Sequence, residues 1–235
     1  MIPPADRREL HRRAVAEMER LYVERIADHV ERLGDHAFEG ELWDKAVVYL
    51  RRAGVNAALR SAGREAAARF ERAKQALDRL PPTRSNQERA MQLRLTLRNP
   101  LFLLADFGHA LEVLGEVVTL AAALGAPAQA GMACAYMANA HFMLGNLDDG
   151  MRLAEQARIN GAARGDATLL AITCCHLGQL LYAKGDYAAS VAMMENCLEH
   201  LESVPSRRGS NMARVYSVVA RCFNAFSLAR AGPVS

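Results

Sequence analysis

Residues 172–197 read ITCCHLGQLLYAKGDYAASVAMMENC, and this stretch decides the fold. A run with apolar spacing near 3.6 closes on Gly185, Asp186 follows, and a second run of the same kind begins. An Asp or Asn just past a Gly or Ala ends one helix and caps the next through its orphan amides, so the stretch is a helical hairpin. One period of 40 residues upstream lies MACAYMANAHFMLGNLDDGMRLAEQA, which begins at Met132, and before it MQLRLTLRNPLFLLADFGHALEVLGEV, which begins at Met91. Aligned on their turns, the three share chemically coherent columns: Asn99, Asn139 and Gln179; Phe102, Phe142 and Tyr182; Asp106, Asn146 and Asp186; Phe107, Leu147 and Tyr187; Ala110, Gly150 and Ser190. The small residues let two backbones approach closely, and the apolar residue after the cap packs back on the preceding helix. One hairpin buries only one face, so neighbours must stack as a solenoid.

Outward from these repeats the helical period persists. It predicts helices over 5–20, 21–38, 42–60, 63–79, 86–104, 106–124, 128–144, 147–163, 167–184, 187–203 and 211–230, with breaks at Gly40, Gly63 and Pro81-Pro82. No β-branched run alternates with period two, so the fold class is all-α. Pro100 falls inside a predicted helix, where it removes a backbone bond at a cost of about 3 kcal/mol unless relieved, and predicts a kink. The chain reads as one domain over 1–235: looser helical pairs over 1–80, three 40-residue repeats over 86–205, and an incomplete last repeat or capping helix over 207–235.

Composition narrows the function classes. Lys+Arg 29 against Asp+Glu 26 gives +3 in 235 residues, too thin a basic excess for a phosphate backbone, so nucleic acid is not expected. Five cysteines in no framework spacing (Cys134, Cys174, Cys175, Cys197, Cys222) point to a reducing compartment, the cytoplasm. MIPPADRRELHRR offers no signal peptide. Val117–Leu147 carries no charge, but Gly125-Ala-Pro127 divides it and Gln129, Asn139, His141 and Asn146 are costly in lipid, so two buried helices are expected rather than a membrane span.

Leu177-Gly178, Leu181, Gly185-Asp186-Tyr187, Ser190, Met194 and Cys197 resemble a tetratricopeptide repeat of the 40-residue variety, with Cys174 where the signature Trp would stand. The resemblance implies a right-handed superhelical solenoid of antiparallel helix pairs, here about five pairs plus an unpaired C-terminal helix. ELHRRAVAEMERLY, ADHVERLGDHAFEGELWDKAVVYLRRAG and SAGREAAARFERAKQAL are similar to a region of large bacterial signalling proteins that join a nucleotide cyclase and a STAND-type ATPase to a C-terminal helical repeat array. SVVARCFNAFSLARAG resembles a later repeat of that family up to its turn glycine, here Gly232. The resemblance implies the regulatory or sensory arm of such a protein. The chain holds no G-x-x-x-x-G-K loop and no cyclase metal aspartates.

Chemistry has few footholds. His29 and His36, beside Asp28 and Asp35, read as a solvated or capping face, since zinc needs three or four convergent ligands. Cys174-Cys175-His176 reads as core, because adjacent helical residues point about a hundred degrees apart. Cys175 or Cys222 with His141 or His176 lacks a third orienting group. No metal, cofactor or catalytic residue is assigned, and no enzyme is expected.

In tetratricopeptide arrays the first helix of each pair lines the groove, which places Asn99, Phe102, Asn139, Phe142, Gln179 and Tyr182 there, with Tyr136 and His176 in the neighbouring column. Amides bond an extended backbone and aromatics give rigid contact area. These residues also fit plain inter-repeat packing. A carboxylate clamp is not expected, since the cationic columns read Gln92, Met132, Ile172 and Leu95, Ala135, Cys175. The expected function is a non-catalytic protein- or peptide-binding scaffold, whose partner could be a neighbouring domain of a larger parent chain. The alternative is a free-standing adaptor that self-associates as a homodimer through an exposed face of Val215, Val218, Val219, Cys222, Phe223 and Phe226. A third reading, a small-molecule sensor, would need a pocket with convergent polar groups.

Overall fold

Seven of the turns between helices pass through one left-handed residue: Glu41, Ser61, Ala105, Gly125, Gly145, Gly165 and Gly185, with φ between 53° and 83°. In each, the amide of the following residue donates back five positions, as Asn146 N does to His141 O at 2.9 Å and Asp186 N to Leu181 O at 3.0 Å. This is the Schellman closure, and it satisfies carbonyls that the helix end orphans. From Ala105 to Gly185 the left-handed residue recurs every twentieth position, so the 40-residue repeat is two identical turns long. Side chains cap some of the helices that follow. Asp166 Oδ1 accepts from Leu169 N at 3.0 Å and Asp186 Oδ1 from Ala189 N at 3.1 Å. Asn146, expected to do the same, makes no side-chain cap. A non-glycine residue in this conformation costs about 1–2 kcal/mol, partly offset by the lower unfolded-state entropy it brings. Ala105→Gly is therefore expected to raise stability by about 0.5–1 kcal/mol, read from the shift of the urea midpoint.

The structure, a computed structural model, describes residues 3–204 and 206–231. Among them are eleven α-helices, one 3₁₀ segment and no strand. They form two compact units, 1–109 and 110–235, and the boundary falls inside the first of the three repeats.

The first unit holds α1 (Pro4–Leu21), the 3₁₀ segment (Val23–His29), α2 (Val30–Glu39), α3 (Trp43–Leu59), α4 (Gly63–Leu77) and α5 (Arg84–Leu103). The helix expected over 21–38 is thus divided. Tyr22 and Arg25 leave helical geometry, at φ −116° and −131°, while the Tyr22 ring lies 3.9 Å from that of His29. Close packing of α3 on α4 rests on Gly54, where an added Cβ would fall 2.8 Å from the Phe70 ring. Pro100 is buried in the last full turn of α5, and the helix continues through it to Leu103. Asp35 takes Arg69 at 2.5 Å and also Arg72. His36 Nδ1 stands 2.8 Å from His11 Nδ1, and burial together with the His11 and Arg32 charges lowers its pKa. Among the described residues no three metal-ligating side chains cluster.

The second unit holds α6 (Phe107–Leu124, from Ala110 on), α7 (Pro127–Leu144), α8 (Leu147–Arg164), α9 (Ala167–Lys184), α10 (Tyr187–Glu202) and α11 (Ser206–Ala231). α6 is long and apolar enough to cross a membrane by length and composition. Its stripe of Ala110, Val113, Leu114, Val117, Ala121 and Leu124 is buried, and it carries Glu112 and Glu116. α9 packs against α7, α8, α10 and α11, so every residue from Ala171 to Leu180 is buried. Backbones touch at its glycines. A Cβ on Gly178 would lie 2.6 Å from Met194 Cε, and one on Gly150 would lie 2.7 Å from Leu180 Cδ2. In the small-residue column, Ser190 Oγ donates to Gly178 O at 2.8 Å, and Ser227 Oγ donates to Ser190 Oγ at 2.9 Å, all buried.

The last contact fixes how α11 sits. Leu180 of α9 covers Gly150 of α8, and Ser227 of α11 covers Ser190 of α10. Gly150 and Ser190 are one 40-residue period apart, whereas Leu180 and Ser227 are seven residues further apart than that. α11 is therefore a first helix whose register is set back by seven residues. Gly232, the turn glycine in this register, lies outside the described residues.

Candidate partner-binding face

α7, α9 and α11 are the first helices of successive pairs, and α9 touches both of the others. Spaced three residues apart over nearly two turns of α7, Tyr136, Asn139 and Phe142 lie along one side. All three are half-buried. Asn139 Nδ2 donates to Gln179 Oε1 at 3.5 Å, a long bond that leaves an acceptor on Asn139 and donors on Gln179. Beside the amides stands an aromatic cluster. The Tyr182 ring meets Phe223 edge-on at 5.4 Å and Phe226 at 6.4 Å, and Phe142 meets Phe223 edge-on at 6.4 Å. Rings from α7 and α11 thus close over α9. Edge-to-face pairs at such separations each add about 0.5–1.5 kcal/mol beyond the area they bury.

His176 is used by the fold itself. It is 4 % exposed, and its Nδ1 donates to Ala135 O at 2.8 Å. That leaves Nε2 as the acceptor for the Tyr216 hydroxyl at 3.4 Å. The ring pins α9 to α7 on one side and to α11 on the other. Gln179 is also buried, at 9 % exposure, so the surface a partner meets is made mainly of Tyr136, Asn139, Phe142, Tyr182, Phe223 and Phe226. Asn99 and Phe102 belong to the first unit. Asn99 is exposed and bonded by Arg98, while Phe102 packs edge-on to Phe107 at 5.4 Å with the Arg98 guanidinium 5.3 Å over its ring.

The expected apolar face of α11 is split between two sides. Val219 and Phe223 turn inward onto the core of Ala171, Cys174, Cys175, Met194, Cys197 and Ala220. Val215, Val218, Cys222 and Phe226 remain exposed. Phe223 and Phe226 belong to the aromatic cluster as well. The signal for this was present in the sequence: counted back from Gly232, Phe223 occupies the place of His176, and Phe226 that of Gln179.

Four of the five thiols, those of Cys134, Cys174, Cys175 and Cys197, are core groups, and Cys222 is exposed. Burial pushes Cys174 up to about 11 and raises Cys134, and a hydrogen bond with Cys197, with burial, drives Cys175 higher still. Protonated thiols are poor nucleophiles.

No family model matches the sequence, and no curated protein is similar to it. Solved structures are similar. One is the crystal structure of BtubC (BKLC) from P. vanneervenii, at 14% identity and a TM-score of 0.61, over 99% of this chain and 85% of that one. Another is the MamA RS-1 ArsTM double mutant, a tetratricopeptide-type solenoid, at 18% identity and a TM-score of 0.52, over 84% of this chain and 96% of that one. At such identities the likeness shows the fold, an all-α helical solenoid.

Proposed function

We propose that this chain is a non-catalytic tetratricopeptide-like scaffold that binds a protein or peptide segment through the face of α7, α9 and α11. The observation that carries the reading is the Phe142, Tyr182, Phe223 and Phe226 cluster set beside the Asn139–Gln179 amide pair. Rigid aromatic area with adjacent amide donors and acceptors suits an extended or helical peptide. The resemblance of residues 9–77 to the region that follows the ATPase in cyclase/ATPase signalling proteins supports a further step: the chain acts as the sensory arm of such a protein in the cytoplasm, where the five free thiols stay reduced. Such an arm would shift an attached module between states by differential affinity of a few kcal/mol.

Immobilised protein should retain a discrete partner from a lysate of its source cells, and the combined Asn139→Ala, Phe142→Ala and Tyr182→Ala variant should retain none while keeping most of its helicity by circular dichroism. Retention unchanged in a folded triple variant would place binding on another face.

A further inference from the structure

α10 is seated on α9 through a short list of positions. Ala171, Cys174 and Cys175 of α9 share a core with Met194 and Cys197 of α10. Gly178 lies under Met194 and takes the Ser190 hydroxyl on its carbonyl. Carried into α11 by the register that Ser227 fixes, these positions become Val218, Arg221, Cys222 and Ala225. All four are exposed, and Val215 and Ala229 extend the same stripe at spacings of three and four residues. A cleft of about 410 Å³ opens alongside, with Leu198 and Leu201 of α10 on one wall and Val218 and Arg221 of α11 on the other. In the preceding repeat the corresponding residue, Cys174, shares a core with Cys197 of α10, whose thiol is hydrogen-bonded to Cys175. The outer side of α11 is thus a formed helix seat, with the small residues Cys222 and Ala225 where backbones approach.

Charge selects the occupant. α11 contains no Asp or Glu anywhere, and Arg214 and Arg221 line the cleft against the single carboxylate of Glu202. A second copy docked through its own α11 would set arginine against arginine. α10, the helix that fills the equivalent seat on α9, contains Glu195, Glu199 and Glu202 and no Lys or Arg. We infer that the outer face of α11 docks an acidic amphipathic helix of a second protein, packed along Val218, Cys222 and Ala225 with a carboxylate at Arg221. Phe223 turns away from this face, while Phe226, four residues from Cys222, borders it, so Val218 and Arg221 are the positions that separate docking here from binding at the aromatic cluster.

The probe is a fluorescein-labelled synthetic peptide of residues 186–202, DYAASVAMMENCLEHLE, carrying Cys197→Glu; Cys197 packs on Cys174 and Cys175, whose counterparts are Arg221 and Cys222, so the new carboxylate lies beside Arg221. A second peptide carries Cys197→Lys. Anisotropy titrations use the whole 235-residue protein. Saturable binding is expected, with the Glu peptide about tenfold tighter than the Lys peptide, since a close charge pair at a partly buried site is worth about one decade. Arg221→Glu should invert that preference, and Val218→Asp should abolish binding of both. Exchange of the peptide for the protein's own α10 would not respond to Val218. Val218 is 61 % exposed, so the fold should tolerate the change, and Arg221→Glu gives an independent reading if it does not. Equal affinity of the two peptides, indifference to Val218→Asp, or absence of saturable binding would each overturn the inference. So would a mass doubled in light scattering and restored to 25.7 kDa by Val218→Asp, which would make a second copy the occupant.

Discussion

Gly150→Val is expected to lower the stability of the second unit by about 3 kcal/mol, with the urea midpoint followed by far-ultraviolet circular dichroism. Gly150 is buried where α8 crosses both α7 and α9. A Cβ there would fall 2.7 Å from Leu180 Cδ2 and 3.2 Å from the carbonyl oxygen of Ala138. Leu180 is fully buried and has no room to turn, and a backbone carbonyl inside α7 cannot move without its helix. Valine adds two further methyl groups to that clash, so the helices must part, and the core of Cys134, Ala138, Leu153 and Leu180 loses contact on both sides. Gly115 in α6 is the matching control, because an added Cβ there meets nothing within 4 Å. Gly115→Ala should be neutral or stabilising by up to about 1 kcal/mol, the ordinary gain of alanine over glycine inside a helix. Equal effects from the two substitutions would mean that α8 does not approach its neighbours as closely as Gly150 indicates.

Phe223→Ala carries the second large effect and links the core to the binding face. A fully buried phenylalanine costs about 3–5 kcal/mol when truncated to alanine, and Phe223 is half-buried with three aromatic neighbours, so a loss of about 2–3 kcal/mol is expected. The loss should concentrate in α11. Without the ring, that helix keeps the Ser227–Ser190 bond, the Tyr216–His176 contact and the Phe226 contact with Tyr182 but loses the closer ring contact with Tyr182 and the contact with Phe142. Amide exchange should accelerate in α11 well before α9, and partner retention should fall in proportion. Stability within about 0.5 kcal/mol of the unsubstituted protein, with protection in α11 unchanged, would show that the cluster does not hold the helix.

Much of this architecture is legible in the residues. Nearly every helix is announced by 3.6-residue spacing, and the hairpin turns by Gly-Asp or Gly-Asn pairs, because both signals act within one or two turns of chain. The twenty-residue half-period is hidden where Glu41, Ser61 and Ala105 occupy the left-handed position, since the conformation is imposed there by the helices on either side rather than by glycine. The division of the second helix at Tyr22 and Arg25 is accompanied by a ring contact between Tyr22 and His29, and no local pattern announces either. His176 and Gln179 sit in the columns that sequence assigns to the groove, yet both are buried, because four helices enclose α9. Enclosure is a tertiary property, and a polar residue that bridges two neighbours has the same spacing as one that meets a ligand. The last helix is the clearest case. Its apolar residues read as one exposed face for self-association, whereas Phe223 turns inward and both Phe223 and Phe226 meet Tyr182.

The central claim, that the face of α7, α9 and α11 is where a partner binds, is tested most directly by crosslinking from defined positions in living cells. A photoreactive phenylalanine analogue placed at Phe142, half-buried on α7 within the cluster, should crosslink to one discrete protein on illumination. The same analogue at Arg152, exposed on α8, should not. The same product from both positions, or a product from Arg152 alone, would contradict the account.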